Sequence, residues 1–164
     1  EVSFCTVTGN TADDRGGGLF SITPEDDQGP IIKNSIVHGN SAPNGSDLYA
    51  NVQSRGYNLV GAIVSATLDI TGGANTGTGN LIGVDPKLGP LGDNGGPTWT
   101  RALAAGTDPS PALDAGSPTD PSGQTVTVDQ RGYFRPFPPG RQADIGAYEW
   151  GSTVYQIRLP VALR

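Results

Sequence analysis

The chain reads VSFCTVTGNTA at residues 2–12 and IKNSIVHGNSA at residues 32–42, so apolar and turn positions return in the same order. A second pair of matching segments follows the two copies, GLFS at 18–21 and DLYA at 47–50. Short strands that repeat at a fixed period of roughly 20–50 residues are typical of a solenoid, in which each coil buries its apolar side chains against the next. The repeat therefore predicts an all-β fold, a parallel β-helix of about three coils.

Residues at equivalent places in the two copies should stack in columns from coil to coil. The predicted columns pair Val2 with Ile32, Cys5 with Ser35, Val7 with Val37, and Leu19 with Leu48. Coil one then runs from Val2 to Ile22 and coil two from Ile32 to Val52. Only two residues separate the first two columns, which predicts a tight turn where Asn34 suits a left-handed backbone.

A looser third coil follows the first two. GYNLVG at residues 56–61 returns as TGNLIG at residues 78–83. Asparagines also stand near glycines at the predicted coil corners, and asparagines stacked in this way can hydrogen-bond along the axis of a solenoid. They are Asn10, Asn40, Asn58 and Asn80.

From residue 84 the repeat is lost, and proline follows aspartate or glycine in turn or extended dipeptides such as Asp85-Pro86. The terminal unit of a solenoid is atypical because it must close the core. We therefore predict a single domain with coils at residues 1–83, a loop-rich closing segment at 84–150 and a C-terminal strand or tail at 151–164.

The tail has the alternation of a strand with one apolar face. Pro160 has no N–H to donate to a neighbouring strand, so the pattern predicts an edge strand. The apolar face must be buried against the coils or against another subunit that gains the strand. Its residues are Ile157, Leu159, Val161 and Leu163.

Composition excludes several classes of protein. The 164 residues carry a net charge of −6, and the 10 basic residues are spread singly, which argues against a nucleic-acid partner. No apolar run reaches the length of about 18 residues that a membrane span needs. A single cysteine cannot form an intrachain disulfide. We interpret Cys5 as a small buried core residue.

Several motifs resemble those of the choice-of-anchor Q domain family, CSLREA-type bacterial proteins of the cell surface or secreted fraction. These motifs are GYNLVG at 56–61, GNLIGVDPKLGPL at 79–91, DNGGPT at 93–98, DQRG at 129–132 and DIGAYE at 144–149. The resemblance implies a right-handed parallel β-helix that acts outside the cell. It implies no settled activity. The N-terminal part of such proteins and the usual cysteines of their middle region are absent from this sequence.

Acidic and basic residues of the closing segment form the candidate site. They are Asp114, Asp129, Asp144, Arg131, Arg135 and Arg141. Guanidinium and carboxylate groups match in geometry, so we favour structural ion pairs that pin the long loops onto the coils. Two alternatives stay open: a weak Ca²⁺ site formed by Asp85, Asp93 and Asp129, and acid–base cleavage of a sugar bond by two carboxylates. No other cofactor is expected, because the single histidine, His38, is too little for a zinc site or a histidine-dependent triad.

Aromatic residues also cluster late in the chain. They are Trp99, Tyr133, Phe134, Phe137, Tyr148 and Trp150. We favour lids over the open end of the solenoid for most of them. The alternative is a platform on which sugar rings stack.

These observations favour a non-enzymatic structural or surface module outside the cell, acting in adhesion or in self-assembly into filaments. The chain opens on a strand, and an uncovered strand edge is an aggregation hazard, so further coils or a neighbouring subunit should cover it. A heterologous contact between the two ends closes into a ring or runs on as a fibre. The residues concerned are Val2, Val7, Ile157, Leu159, Val161 and Leu163. The alternative function is a β-helix that binds or cleaves polysaccharide.

Overall fold

A computed structural model describes residues 1–21, 29–49, 52–63, 68–69 and 78–152, with 68–69 described for the backbone only. Within these ranges the regular structure is all β and includes no helix, hence none long and apolar enough to cross a membrane. The strands are β1 (Val2–Ser3), β2 (Thr6–Val7), β3 (Leu19–Phe20), β4 (Ile31–Lys33), β5 (Ile36–Val37), β6 (Leu48–Tyr49), β7 (Val52–Ser54), β8 (Leu59–Val60), β9 (Leu68–Asp69), β10 (Leu81–Ile82), β11 (Leu88–Gly92) and β12 (Thr100–Leu103).

Parallel pairing between successive coils builds most of the fold. The first sheet has the strand order β1-β4-β7-β9, the second sheet has the order β2-β5-β8-β10, and β3 pairs with β6 in a third. The register sets Val2 opposite Ile32, Val7 opposite Val37, and Leu19 opposite Leu48. These are the columns that the repeat predicts, so the all-β prediction and the parallel stacking are confirmed.

Coil two ends earlier than the repeat predicts. Val52 is the first residue of β7 and so belongs to the next coil, where Gln53 lies opposite Ile31 in the first sheet. The physical reason is a difference in connection length, because the long connection from Phe20 to β4 has no counterpart between β6 and β7. Strands β9 and β10 then add a fourth rung to the first and second sheets.

The tight turn between the first and second sheets has a left-handed residue in every coil. Asn34, as predicted, has a φ of 51°, and the equivalent residues Phe4, Tyr57 and Gly79 have φ values of 50°, 57° and 68°. A positive φ is uncommon for aromatic residues. Parallel pairing holds them there, because the N–H groups of Phe4, Asn34 and Tyr57 donate to carbonyls of the next coil at 3.2, 3.3 and 2.8 Å.

A column of polar side chains follows this turn. The N–H of Cys5 donates to Ser35 Oγ at 3.2 Å, and the N–H of Ser35 donates to Asn58 Oδ1 at 3.1 Å. The N–H of Asn58 donates in turn to Asn80 Oδ1 at 2.9 Å. Each side chain thus accepts a backbone N–H that the strands leave unpaired. We call this set the polar column.

The predicted stacking of asparagines is confirmed, but in two separate ladders. Asn58 and Asn80 stack in the polar column, with Nδ2 to Oδ1 at 3.3 Å. Asn10 and Asn40 stack at another corner, with Nδ2 to Oδ1 at 2.9 Å. Asp47 ends this second ladder by accepting from the N–H of Asn40 at 2.8 Å.

Two apolar cores lie on opposite faces of the second sheet. The inner core, inside the coils, contains Val60 of β8 together with Ile32, Leu48 and Val52. The outer core contains the alternate residues Ile36 and Leu59, packed against Leu103, Ala112 and Ile145 of the closing segment. Both faces of the second sheet are therefore apolar, as expected of parallel sheets covered on two sides.

The closing segment accordingly lies along the flank of the coils, whereas we expected it to close their end. It reaches coil one, where the N–H of Ala147 donates to Thr6 Oγ1 at 3.0 Å, and coil two, where the N–H of Gly146 donates to the carbonyl of Asn34 at 2.8 Å. Strands β11 and β12 form its antiparallel hairpin. The predicted C-terminal strand, with Ile157, Leu159, Val161 and Leu163, lies outside the described residues.

We predict that Asn58→Ala destabilises the protein by about 1–3 kcal/mol, because the buried N–H of Ser35 loses its acceptor, whereas the carbonyl of Ile32 keeps the N–H of Arg55 as a partner. Asn10→Ala, at the exposed end of the other ladder, should cost less than about 1 kcal/mol. Urea unfolding of the two variants checks this difference. Equal losses would show that the polar column is not a special source of stability.

Candidate functional site

Five charged residues of the closing segment are buried together near coil one. Their exposed fractions are Asp129 7%, Arg131 6%, Arg135 3%, Asp144 3% and Glu149 0%. Charged side chains are rarely buried unless they are paired and hydrogen-bonded. Removing one ion from water costs about several kcal/mol, even after the protein has relaxed around it. We call this set the buried charge cluster.

Arg131 is saturated with partners. Its Nε and Nη2 contact Asp129 Oδ2 at 2.8 and 2.7 Å, and Nη2 also donates to the carbonyl of Glu149 at 2.6 Å. Its guanidinium carbon lies 4.3 Å from the ring centre of Tyr133 and 3.7 Å from that of Tyr148. A guanidinium held between two aromatic rings and a carboxylate is a rigid structural pin.

Asp129 is fixed by its own loop. Its Oδ1 accepts from the N–H groups of Arg131 and Tyr133 at 2.8 and 3.1 Å, and its Oδ2 accepts from the N–H of Glu149 at 3.0 Å. Gly132, with a φ of 81°, closes the turn by donating to the carbonyl of Asp129 at 2.9 Å. Asp–X–X–Gly therefore folds here as a side-chain-capped turn.

Glu149 joins three parts of the closing segment. Its Oε1 accepts from the N–H of Phe137 at 2.8 Å, its Oε2 accepts from the N–H of Asp144 at 3.0 Å, and Oε2 lies 3.1 Å from Arg135 Nε. The Arg135 guanidinium carbon lies 4.6 Å from the ring centre of Phe4, the left-handed corner residue of coil one. The cluster thus attaches the closing segment to the first coil.

Arg135 has weaker partners than Arg131. Among the described residues none of its side-chain nitrogens makes a hydrogen bond of good geometry, so its contacts are the ion pair with Glu149 and the Phe4 ring. Asp144 forms no ion pair within the same ranges. Its oxygens accept instead from the N–H groups of Asp114 and Trp150, at 2.7 and 2.6 Å.

Burial changes the acid–base properties of this cluster. Burial, together with the neighbouring negative charge of Asp144, raises the pKa of Glu149 to about 7. Burial also raises the pKa of Asp144 and lowers the pKa of Arg135. For both Arg135 and Glu149, desolvation changes the pKa more than their mutual attraction does. The folded protein therefore holds a proton on Glu149 more readily than an unfolded chain does.

The six residues selected from the sequence divide into three groups. Asp129 pairs with Arg131 inside the cluster, and Asp114 pairs with Arg141 at 2.7 Å on the surface, where a pair contributes less than about 1 kcal/mol. Arg135 and Asp144 instead meet at Glu149, which the sequence analysis did not select. Glu149 is the last residue of the DIGAYE motif. Its position between Tyr148 and Trp150 was the one signal in the sequence that could have marked it as a buried acid.

The candidate Ca²⁺ ligands lie on separate turns. Asp85 accepts from the N–H of Lys87 at 2.8 Å, and Asp93 accepts from the N–H of Gly95 at 2.9 Å. Asp129 is engaged by Arg131 as described above. Within the described ranges, no three His, Cys, Asp or Glu residues are grouped as a metal site requires.

Cys5 is half-buried, whereas the sequence predicted a buried core residue. Its thiol contacts the carbonyl of Ser3 at 3.2 Å, and burial raises the pKa of the thiol. A thiol with a raised pKa is a poor nucleophile at neutral pH. The backbone N–H of Cys5, which donates to Ser35 Oγ, is what connects this residue to the polar column.

The aromatic residues do not share one lid. Tyr133 and Tyr148 flank Arg131, whereas Trp99 and Trp150 are 65% and 48% exposed. Each tryptophan lies at the edge of a cavity, of about 380 Å³ for Trp99 and about 270 Å³ for Trp150. Phe137 lines the second cavity, and Phe134 is 37% exposed.

We predict that the free energy of unfolding falls by about 1–3 kcal/mol as the pH rises from about 4.5 to 7, because Glu149 loses a proton that the folded state binds more tightly. Glu149→Gln should flatten this slope. The variant should also be less stable throughout, because either orientation of its amide sets an NH₂ group against an N–H donor.

Urea unfolding at a series of pH values measures both effects. Asp108→Asn, which alters the exposed pair with Lys87, is the control and should keep the wild-type slope. An unchanged slope in Glu149→Gln would contradict the assignment of this proton to Glu149.

Comparison with known proteins adds no relative to this description. No protein-family model, no curated protein and no solved structure matches the chain. The resemblance to the choice-of-anchor Q domain family, drawn from sequence motifs, remains an expectation.

Proposed function

We propose that this chain forms a right-handed parallel β-helix that acts outside the cell as a structural module and self-assembles into filaments through its strand edges. One observation carries the proposal. Among the described residues, β1, β2 and β3 each stand at the edge of their sheet, all three on coil one. Coil one therefore presents three parallel edges to whatever lies beyond it.

The hydrogen bonds to coil two indicate which backbone groups face the open side. The carbonyls of Cys5 and Val7 accept from Ile36 and His38, so the N–H and carbonyl of Thr6, between them, point away from coil two. The same alternation turns the backbone groups of Ser3 in β1 and Phe20 in β3 outward. Another coil can pair with these groups at the spacing of the existing stack.

Protective features are absent from these three edge strands. Proteins usually discourage edge pairing with lysine, proline or bulges, yet β1, β2 and β3 consist of VS, TV and LF. The ladder of Asn10 and Asn40 also ends here, with the Asn10 side chain exposed where Asn40 is buried. An edge of this composition supports pairing with a second copy.

The partner surface that we propose is the far end of a neighbouring copy, extended by its C-terminal residues. Ile157, Leu159, Val161 and Leu163 alternate with polar residues, alanine and Pro160 in the sequence, a pattern that supports strand addition. Joining unlike ends is a heterologous contact, which propagates as a fibre when it does not close. The resemblance to surface or secreted proteins supports a location outside the cell.

Ser3→Pro tests the proposal, because it removes an N–H that faces the open edge while leaving the carbonyl of Ser3 in place. We expect wild-type protein to form elongated oligomers whose mass rises with concentration, and Ser3→Pro to remain monomeric. Ser3→Ala, which keeps the N–H, is the matched control and should assemble like wild type. Light scattering coupled to gel filtration and negative-stain imaging measure the assembly.

Cooperative thermal unfolding of each variant establishes that the monomer is folded. Proline is tolerated on an edge strand, so the unfolding temperature of Ser3→Pro should stay near that of wild type. Wild-type protein that stays monomeric at every concentration, or equal assembly by Ser3→Pro, would refute edge-to-edge assembly.

A further inference from the structure

A cleft separates coil one from the hairpin of the closing segment. Its volume is about 380 Å³, in the range of small-molecule sites, and its walls come from the turn after β2 and from β11–β12. The side chains that could face a ligand are those of Thr8, Asn10, Trp99, Arg101 and Gln130. None of these belongs to the buried charge cluster.

We propose that this cleft binds an acidic oligosaccharide, with a sugar ring on the indole of Trp99 and a uronate carboxylate on the guanidinium of Arg101. The proposal concerns ligand binding only and does not depend on filament formation. Three features of the cleft support it: an exposed aromatic face, one positioned cation, and short neutral polar side chains.

Trp99 supplies the aromatic face. Its side chain is 65% exposed, the largest value among the exposed large apolar residues of the described ranges. A large indole left in water is unfavourable for the free protein, and a ring surface of this kind stacks well on the C–H face of a sugar. Leu91, 54% exposed on the paired strand β11, extends the apolar edge of the cleft.

Arg101 supplies the cation. Its Nη1 donates to the carbonyl of Gly89 at 3.0 Å, which orients the guanidinium beside coil one. Its Nη2 lies 3.8 Å from where a Cβ would stand on Gly9, so it reaches the floor of the cleft. Among the described residues no carboxylate forms an ion pair with Arg101, in contrast to Arg131, Arg135 and Arg141.

The charge of the walls selects an acidic ligand. None of the described residues that line the cleft is acidic, although the chain as a whole carries a net charge of −6. A guanidinium without an acidic partner binds a carboxylate in two parallel hydrogen bonds. Repulsion from the remaining surface would weaken long polyanions, which favours a ligand whose charges are spaced by neutral hydroxyl groups.

The neutral polar residues suit those hydroxyl groups. Gln130 Nε2 donates to Thr98 Oγ1 at 2.8 Å, which fixes the amide plane at the rim. Asn10 Nδ2 donates to Asn40 Oδ1 at 2.9 Å, which orients the carboxamide at the corner of coil one. Amides held in this way can present oxygen acceptors to sugar hydroxyls with little loss of entropy on binding.

The test compares two β-linked oligosaccharides that differ only at C6: oligomannuronate, which carries carboxylates, and the mannose oligomer, which is neutral. Calorimetric titration of the Ser3→Pro variant and of wild type separates binding from assembly. We expect the mannuronate oligomer to bind at least about tenfold more tightly, and added salt to weaken its binding alone.

Variants assign the two contacts. Trp99→Ala should weaken both ligands about tenfold or more, whereas Trp150→Ala, which removes the exposed tryptophan of the other cavity, should leave both affinities within about twofold. Arg101→Gln should reduce the affinity for oligomannuronate to that for the mannose oligomer. Thermal unfolding checks that each variant is folded.

Either of two results overturns the proposal. One is the absence of binding by both oligosaccharides to wild type and to Ser3→Pro. The other is binding that is indifferent to the carboxylate, to salt and to Trp99→Ala. Because neither result bears on the oligomeric state, failure here leaves the edge-assembly proposal to its own experiment.

Discussion

Each coil must satisfy the backbone N–H groups at its left-handed corner, and the rest of the structure depends on how it does so. The N–H of the corner residue donates to a carbonyl of the next coil, as from Asn34 to Gly56. The following N–H donates to a side chain of the next coil, as from Ser35 to Asn58. Since these donors have no other acceptor in the strands, a slip of one residue would leave them buried and unpaired. The corner therefore sets the register of the two larger sheets.

With the register set, the second sheet presents apolar residues alternately to the inner and outer cores. Leu59 and Val60 are neighbours in one strand, yet Val60 packs inside the coils and Leu59 packs under the closing segment. The buried charge cluster then attaches that segment to coil one through Arg135 and Phe4. Apolar area supplies the attraction, and the charged groups restrict the segment to one position, as buried polar networks do in some proteins.

Much of the fold could be predicted because the repeat consists of residue types with known backbone preferences. Asn34 was predicted to be left-handed because asparagine tolerates that conformation, whereas Phe4 and Tyr57 adopt it without any such propensity. Their conformation is imposed by pairing with the next coil, which is not a local property. Glu149 was missed for a related reason, since its importance depends on Arg135 and Phe137 meeting it across loops that carry no period. The cleft beside Trp99 likewise joins segments that are far apart in the chain.

The hydrogen bond from Ala147 to Thr6 has a consequence for the order in which the parts of the chain can fold during synthesis. Translation delivers coil one before the closing segment, and Ala147 emerges 141 residues after Thr6. Contacts between such distant residues form slowly, because the chain loses the entropy of closing a long loop before the contacts can stabilise it. A nascent chain can therefore stack its rungs early, while the flank of coil one stays uncovered until the closing segment has left the ribosome.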